Sequence, residues 1–262
     1  MQRSQTRVKE FRQTIMSKNF EVLQQAHKDT ELFRTAATPP VPSKIERGAL
    51  RVEALAREEE IKLVQTVFLL PGQEATRSVV FCGVEEGDGS SSVCARAGEI
   101  LSAQTPGSVC VVDANLRSPS LHKYFGLDGA FGFADAVLID SSPIETFAQQ
   151  VPGSNLWVVA SGSRAANLQI LLTSDRLQSR MKELVGKFDR VLINAPPASL
   201  YADAALLGKL VDGVILVLKS SSTRRETARK VKESFDAASV RLIGAVLSER
   251  TFPIPERLYR KL

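Results

Sequence analysis

A buried strand that runs into a turn of glycines and serines at residues 83–92 limits the fold of this chain more than any other feature. Residues 79–82 (Val-Val-Phe-Cys) are apolar and β-prone. They lead into Gly83-Val-Glu-Glu-Gly87-Asp-Gly89-Ser90-Ser91-Ser92, after which apolar residues recur at helical spacing. Glycines let backbone amides approach an anion closely, and a helix starting behind them points its positive dipole end at the same spot. Strand, Gly-x-Gly turn and hydroxyl-rich helix start are together the parts of a phosphate-binding loop. In a working loop the position of Ser90 is lysine, which neutralises phosphate charge. A charge-assisted hydrogen bond contributes about 1.5–3 kcal/mol, so its loss weakens phosphate binding by roughly one to two decades. Glu85, Glu86 and Asp88 place negative charge beside the same turn. The plainer alternative is a Gly-Ser turn that joins a strand to a helix.

Further along, apolar runs at 108–113, 155–160, 189–194, 213–218 and 241–247 read as buried strands. Helical patterns at 91–104, 168–186, 202–211 and 223–238 lie between most of them. This alternation predicts an α/β fold: a mainly parallel sheet with helices on both faces, which binds ligands at the carboxyl ends of its strands. Ahead of it, residues 1–45 form a polar, helix-prone or flexible extension. The stretch Thr38-Pro-Pro-Val-Pro-Ser43 cannot continue a helix, because proline lacks the amide donor, and reads as a linker. Residues 46–262 form the second region, entered through a helical segment over 46–69.

No apolar run approaches the ~20 residues of a membrane span. The opening residues are charged and lack the apolar core of a secretory signal. Cys82, Cys94 and Cys110 fall in apolar or helical stretches without metal-ligand spacing, which fits small core residues in a reducing compartment. A net charge of +5 permits contact with anionic surfaces without demanding it.

Two more strand ends carry unusual residues. In Val111-Val-Asp113-Ala-Asn115-Leu-Arg117-Ser-Pro119, a carboxylate closes a buried strand, where it is costly to desolvate unless paired. Asp113 is a candidate magnesium ligand or general base, or else the cap of the following turn. Arg117 is a phosphate ligand or a surface arginine. In Val191-Leu-Ile-Asn194-Ala-Pro-Pro197, an apolar run arrives at Asn194 where a magnesium-orienting acid is usual in nucleotide hydrolases.

Taken together, these blocks resemble the bacterial tyrosine kinases of capsule and exopolysaccharide synthesis, relatives of MinD and ParA within the deviant-Walker P-loop ATPases. Glu86-Gly-Asp-Gly-Ser-Ser91 matches the family's PGEGKS pattern, and Asp113 to Leu127, with Arg117, Pro119, His122, Phe125 and Gly126, matches DxDLRxPxxHxxFGL. Phe188 to Pro197, followed by Asp203 and Leu207 to Val217, matches FDxVIIDxPP with its aspartate and LAxxVDGVLLV; Gly244 to Ser248 stands for GVVLN. The resemblance implies a P-loop fold that binds ATP or ADP with magnesium, through Gly87, Gly89, Ser90, Ser91, Ser92, Asn115, Arg117 and Asn194. Ser91 and Asp113 would face the metal. Yet Ser90, Asn115 and Asn194 stand where the family carries lysine, a second acid and the Walker B acid. The GxxPxNP segment keeps Gly162 and Asn167 but has Ala165 and Leu168 for its prolines. Of the usual acids at these motifs only Asp113 remains, as the one candidate catalytic residue, so no cofactor is assigned from the sequence. Phosphoryl transfer depends on positioning and electrostatics, and both are weakened here.

The family's oligomerising ExxRxxR helix is represented by Glu59, Lys62 and Gln65, which lack arginine's bidentate fork. Its tail tyrosine cluster is reduced to Tyr259. The resemblance therefore implies a pseudokinase of an exopolysaccharide system. It would be cytoplasmic and held at the inner membrane face by a partner, either a membrane chain-length regulator (polysaccharide co-polymerase) or an active kinase, with a homo-oligomer as a further option. Two alternatives stay open. One is an active tyrosine autokinase that draws a cation from Arg96, Arg117 or Lys123. The other is a MinD/ParA-like surface adaptor using Arg224, Arg225, Arg229, Lys230 and Lys232, a set that also fits the solvated face of a helix. Nucleic acid is not expected as a partner.

Overall fold

Six of the apolar runs become parallel strands of one seven-stranded sheet, described here from a computed structural model over residues 56–70, 76–139, 142–163 and 168–249. The strands are β1 (Ser78–Gly83), β2 (Val109–Asp113), β3 (Ala148–Gln150), β4 (Leu156–Val159), β5 (Arg190–Ala195), β6 (Gly213–Lys219) and β7 (Leu242–Ser248). Their spatial order is β3-β4-β2-β5-β1-β6-β7, so β1 lies between β5 and β6 near the middle. Every residue of β1 and β2 is buried, as expected of strands covered on both faces.

Side chains alternate across this sheet. Val79, Phe81, Val109 and Val111 join one core with Leu101, Leu121 and Leu192, while Val80, Cys82, Cys110 and Val112 join the other with Phe133, Met181 and Leu184. The first core is covered by the helix at 56–64 (α1), which widens into a π-type turn at Gln65–Leu69, and by α2 (Ser90–Gln104). All three cysteines are buried and free. Desolvation raises their thiol pKa values, that of Cys82 to about 12.

β3 has no counterpart among the expected strands. It is antiparallel to β4 at the sheet edge, and its Ala-Gln-Gln sequence is too short and polar to read as a buried run. The short helices α3 (Leu121–Phe125) and α4 (Phe133–Leu138) were likewise not expected. The helix expected over 168–186 is two, α5 (Leu168–Leu172) and α6 (Asp175–Lys187). The break has a local cause: the Ser174 hydroxyl accepts from the Leu177 amide at 3.3 Å and caps a new helix start. α7 (Asp203–Gly208) and α8 (Arg225–Ala237) match the remaining two helical patterns. No helix among the described residues is long and apolar enough to cross a membrane. The expected extension over 1–45, the helical residues 46–55, Asn167 and Tyr259 lie outside the described residues.

Candidate functional site at the carboxyl edge of the sheet

β1, β2 and β5 are neighbours, so their three carboxyl ends converge. The register sets Asp113 directly opposite Asn194. Asp113 is fully buried and its acceptor capacity is filled. Oδ1 accepts from the Asn194 Nδ2 at 3.0 Å and from the Asn115 amide at 3.3 Å. Oδ2 accepts from the amides of Ser120 and Leu121 at 2.9 and 3.0 Å. Burial raises its pKa from the ordinary value, and the bonds from Leu121, Asn194, Ser120 and Asn115 oppose that shift.

Asn194 also donates to the Ser91 hydroxyl at 3.1 Å, so one amide group bridges the first turn of α2 and the end of β2. Its orientation is dictated by chemistry: a carboxylate only accepts, so nitrogen must face Asp113. Its Oδ1 is buried without a hydrogen-bond partner. Asn115 serves as a turn residue, its Oδ1 accepting from the Ser118 amide at 3.1 Å.

The glycine-rich turn has the conformation its sequence demands. Gly87 and Gly89 both have φ of +81°, left-handed values that disfavour other residues, and α2 starts at Ser90 without a side-chain cap. Asp88, expected to contribute charge beside an anion, instead turns inward and is buried. Its carboxylate accepts from the Glu85 amide at 2.7 Å and the Thr223 hydroxyl at 3.0 Å, and its carbonyl accepts from the Ser248 hydroxyl at 2.6 Å. The turn is thereby pinned to the ends of β6 and β7. Thr223 and Ser248 lie 135 and 160 positions from Asp88, so no local sequence pattern marks the three as one unit.

Arg117 pairs with an acid from a distant helix. Its guanidinium grips Asp203 at the start of α7, with Nε–Oδ2 and Nη2–Oδ1 distances of 3.1 and 3.2 Å, and its Cζ lies 3.9 Å above the centre of the Tyr201 ring. Arg96 pairs with Glu60 of α1 at 2.5 Å. Lys123 is exposed on α3. Ser90 and Ser92 lie half-buried on the first turn of α2. Away from this edge, Lys62 pairs with Glu59 one turn back on α1 at 2.8 Å, and Gln65 is exposed where α1 widens.

Comparison with known proteins places this geometry. The chain is 32% identical over 172 residues to the tyrosine-protein kinase YwqD of Bacillus subtilis, which spans 66% of this chain and 72% of that protein. The chain belongs to the bacterial tyrosine-protein kinase family. Among solved structures, the chimerical protein CapA2B2 superposes with a TM-score of 0.67 at 26% identity, covering 72% of this chain and 83% of that one. The septum site-determining protein MinD of Pyrococcus horikoshii, solved with Mg-ADP, shares the fold, with a TM-score of 0.55 at 24% identity over 71% of this chain and 76% of that one. The mainly parallel sheet with helices on both faces is thus a P-loop NTPase-like fold. The chain spans between 22% and 26% of the longer tyrosine kinases among its relatives. No protein-family model matches the chain.

Magnesium, which a P-loop fold implies, does not fit the residues present. Ser91 offers one hydroxyl. Asp113, the acid that closes β2, has both oxygens filled by four donors, which leaves it no lone pair for a cation.

Proposed function

We propose that this chain is a pseudokinase: a tyrosine-kinase fold kept for binding, acting as a regulatory or scaffolding component of bacterial exopolysaccharide or capsule production. The observation that carries the reading is Asn194, a neutral amide whose nitrogen lies between Ser91 and Asp113. Phosphoryl transfer needs charge around the phosphates, and an amide adds none. Ser90 supplies none either. Arg96 and Arg117 are held by Glu60 and Asp203, which counts against two of the three candidate relocated cations; the third, Lys123, is exposed on α3.

On this reading the partner is a membrane chain-length regulator or an active kinase relative, and the protein sits in the cytoplasm at the inner face of the membrane through that partner. Self-association through α1 is a weaker part of the proposal, since Lys62 is paired within its own helix. A surface adaptor built on α8 is disfavoured. Two of its cations are balanced on the helix itself, Arg229 by Glu226 and Glu233, and Lys232 by Asp236.

Calorimetric titration of the purified chain with the cytoplasmic segment of a chain-length regulator, and separately with an active kinase relative, tests the proposal. Saturable binding to one of them without ATP is expected. Absence of binding to both overturns the scaffolding role.

A further inference from the structure

We infer that the Asn194 carboxamide replaces a divalent cation as the link between the first turn of α2 and the end of β2, leaving the folded core blind to magnesium. Two oxygens converge here, the Ser91 hydroxyl and Asp113 Oδ1, at 3.1 and 3.0 Å from the same nitrogen. A carboxamide nitrogen carries two hydrogens, one for each oxygen. Positive partial charge thus meets both acceptors without an ion. The contact is not a loose rotamer choice, because Asp113 and Asn194 are register partners on adjacent parallel strands.

The remaining valences are closed as well. Two backbone amides from the start of α3 fill Asp113 Oδ2, and the Asn115 amide completes Oδ1. A cation entering this space would have to strip donors from a carboxylate that has no exposed surface. The one imperfection is Asn194 Oδ1, buried without a partner. It lies on the carboxamide where an acid of the same shape would carry its second charged oxygen, and a neutral acceptor there draws a divalent ion far more weakly.

The inference shares with the pseudokinase proposal the substitution at position 194. It concerns stability alone, however, so it is tested without nucleotide and without any partner. The experiment compares thermal midpoints of wild type and Asn194→Asp, each in EDTA and in millimolar magnesium chloride, with ionic strength matched by sodium chloride to remove general screening. Wild type is expected to melt at the same temperature in both. In EDTA the variant sets two carboxylates face to face in a buried space, and its midpoint is expected to fall by about 5–10 °C. Magnesium should restore at least half of that fall, because binding to the folded state alone stabilises it by mass action.

If Asn194→Asp is unfolded in EDTA, refolding it into magnesium reads the same outcome, and recovery of a cooperative transition is expected. A wild-type midpoint that rises with magnesium overturns the inference. So does a variant that matches wild type in EDTA, or one that magnesium fails to recover. None of these results bears on whether the wild type turns over ATP or binds a partner, so the two proposals fail separately.

Discussion

Arg117 holds Asp203 through a two-pronged ion pair, with Nε–Oδ2 and Nη2–Oδ1 distances of 3.1 and 3.2 Å, and stacks on Tyr201 as it does so. The pair ties the loop after β2 to the start of α7, across 86 residues of sequence. The ion pair makes Arg117 a strut between these two segments. Asp203 is nearly buried while Arg117 is a third exposed, so solvent partly screens the interaction.

Arg117→Ala strands the Asp203 carboxylate and is expected to destabilise the fold by about 1–3 kcal/mol, less than a fully buried broken pair would. Arg117→Lys keeps the charge but loses the fork and the stacking, and should recover about half of that loss. Urea denaturation of both variants and of Asp203→Asn, read as a double-mutant cycle, measures the coupling. Additive effects within about 0.5 kcal/mol would mean that the strut is not energetic.

Gly98 on α2 packs tightly against β2. A Cβ there would sit 2.3 Å from the Val111 Cγ2. Ordinary helix propensity favours alanine by about 1 kcal/mol, but overpacking costs about 1–3 kcal/mol, so Gly98→Ala is expected to lose stability on balance. Adding Val111→Ala should return part of the loss, because each change vacates or fills the same space. A Gly98→Ala variant more stable than wild type in thermal melting would show that α2 is free to move away.

Asp88→Ala should loosen the glycine-rich turn without unfolding the domain. It removes the acceptor for the Glu85 amide and the Thr223 hydroxyl, each bond worth about 1 kcal/mol or somewhat more. Hydrogen exchange at the Glu85 amide is expected to speed up by about tenfold or more, with little change in strands β2 and β4. Unchanged exchange at Glu85 would mean that other contacts fix the turn.

Asp189, just ahead of β5, makes one contribution to the pH dependence. The Ser108 amide, then the Ser108 hydroxyl, hold its carboxyl below the ordinary value of 3.8. A folded-state pKa below the unfolded one stabilises fully above the unfolded value, and the contribution vanishes as pH falls through the folded value. Asp189→Asn is therefore expected to lower the melting temperature at neutral pH, with the gap to wild type closing below about pH 4. A gap that persists unchanged at pH 3 would assign the effect to shape rather than charge.

How much of this was legible in the sequence depends on distance along the chain. The six parallel strands were: those covered on both faces must be apolar throughout, as in Val109 to Val112, and β7 is apolar although it lies half-exposed at the sheet edge. The edge strand β3 was not, since Gln149 and Gln150 need only one neighbour and carry no apolar signature. The substitutions at Ser90, Asn115 and Asn194 could be read from motif spacing. Their consequences could not: that Asn194 faces Asp113 follows from the β2–β5 register, and that Arg117 is occupied follows from an aspartate on a distant helix. Ser174, by contrast, is a capping signal carried by local sequence, strong enough to divide the apolar pattern of 168–186 into two helices.

The most direct measurement is magnesium-dependent ATP turnover by the purified chain, with tyrosine autophosphorylation followed by radiolabel in the absence of any active kinase. Hydrolysis and labelling at the level of a blank are expected, unchanged by Asp113→Ala. Turnover above the blank that disappears in Asp113→Ala would contradict the pseudokinase reading.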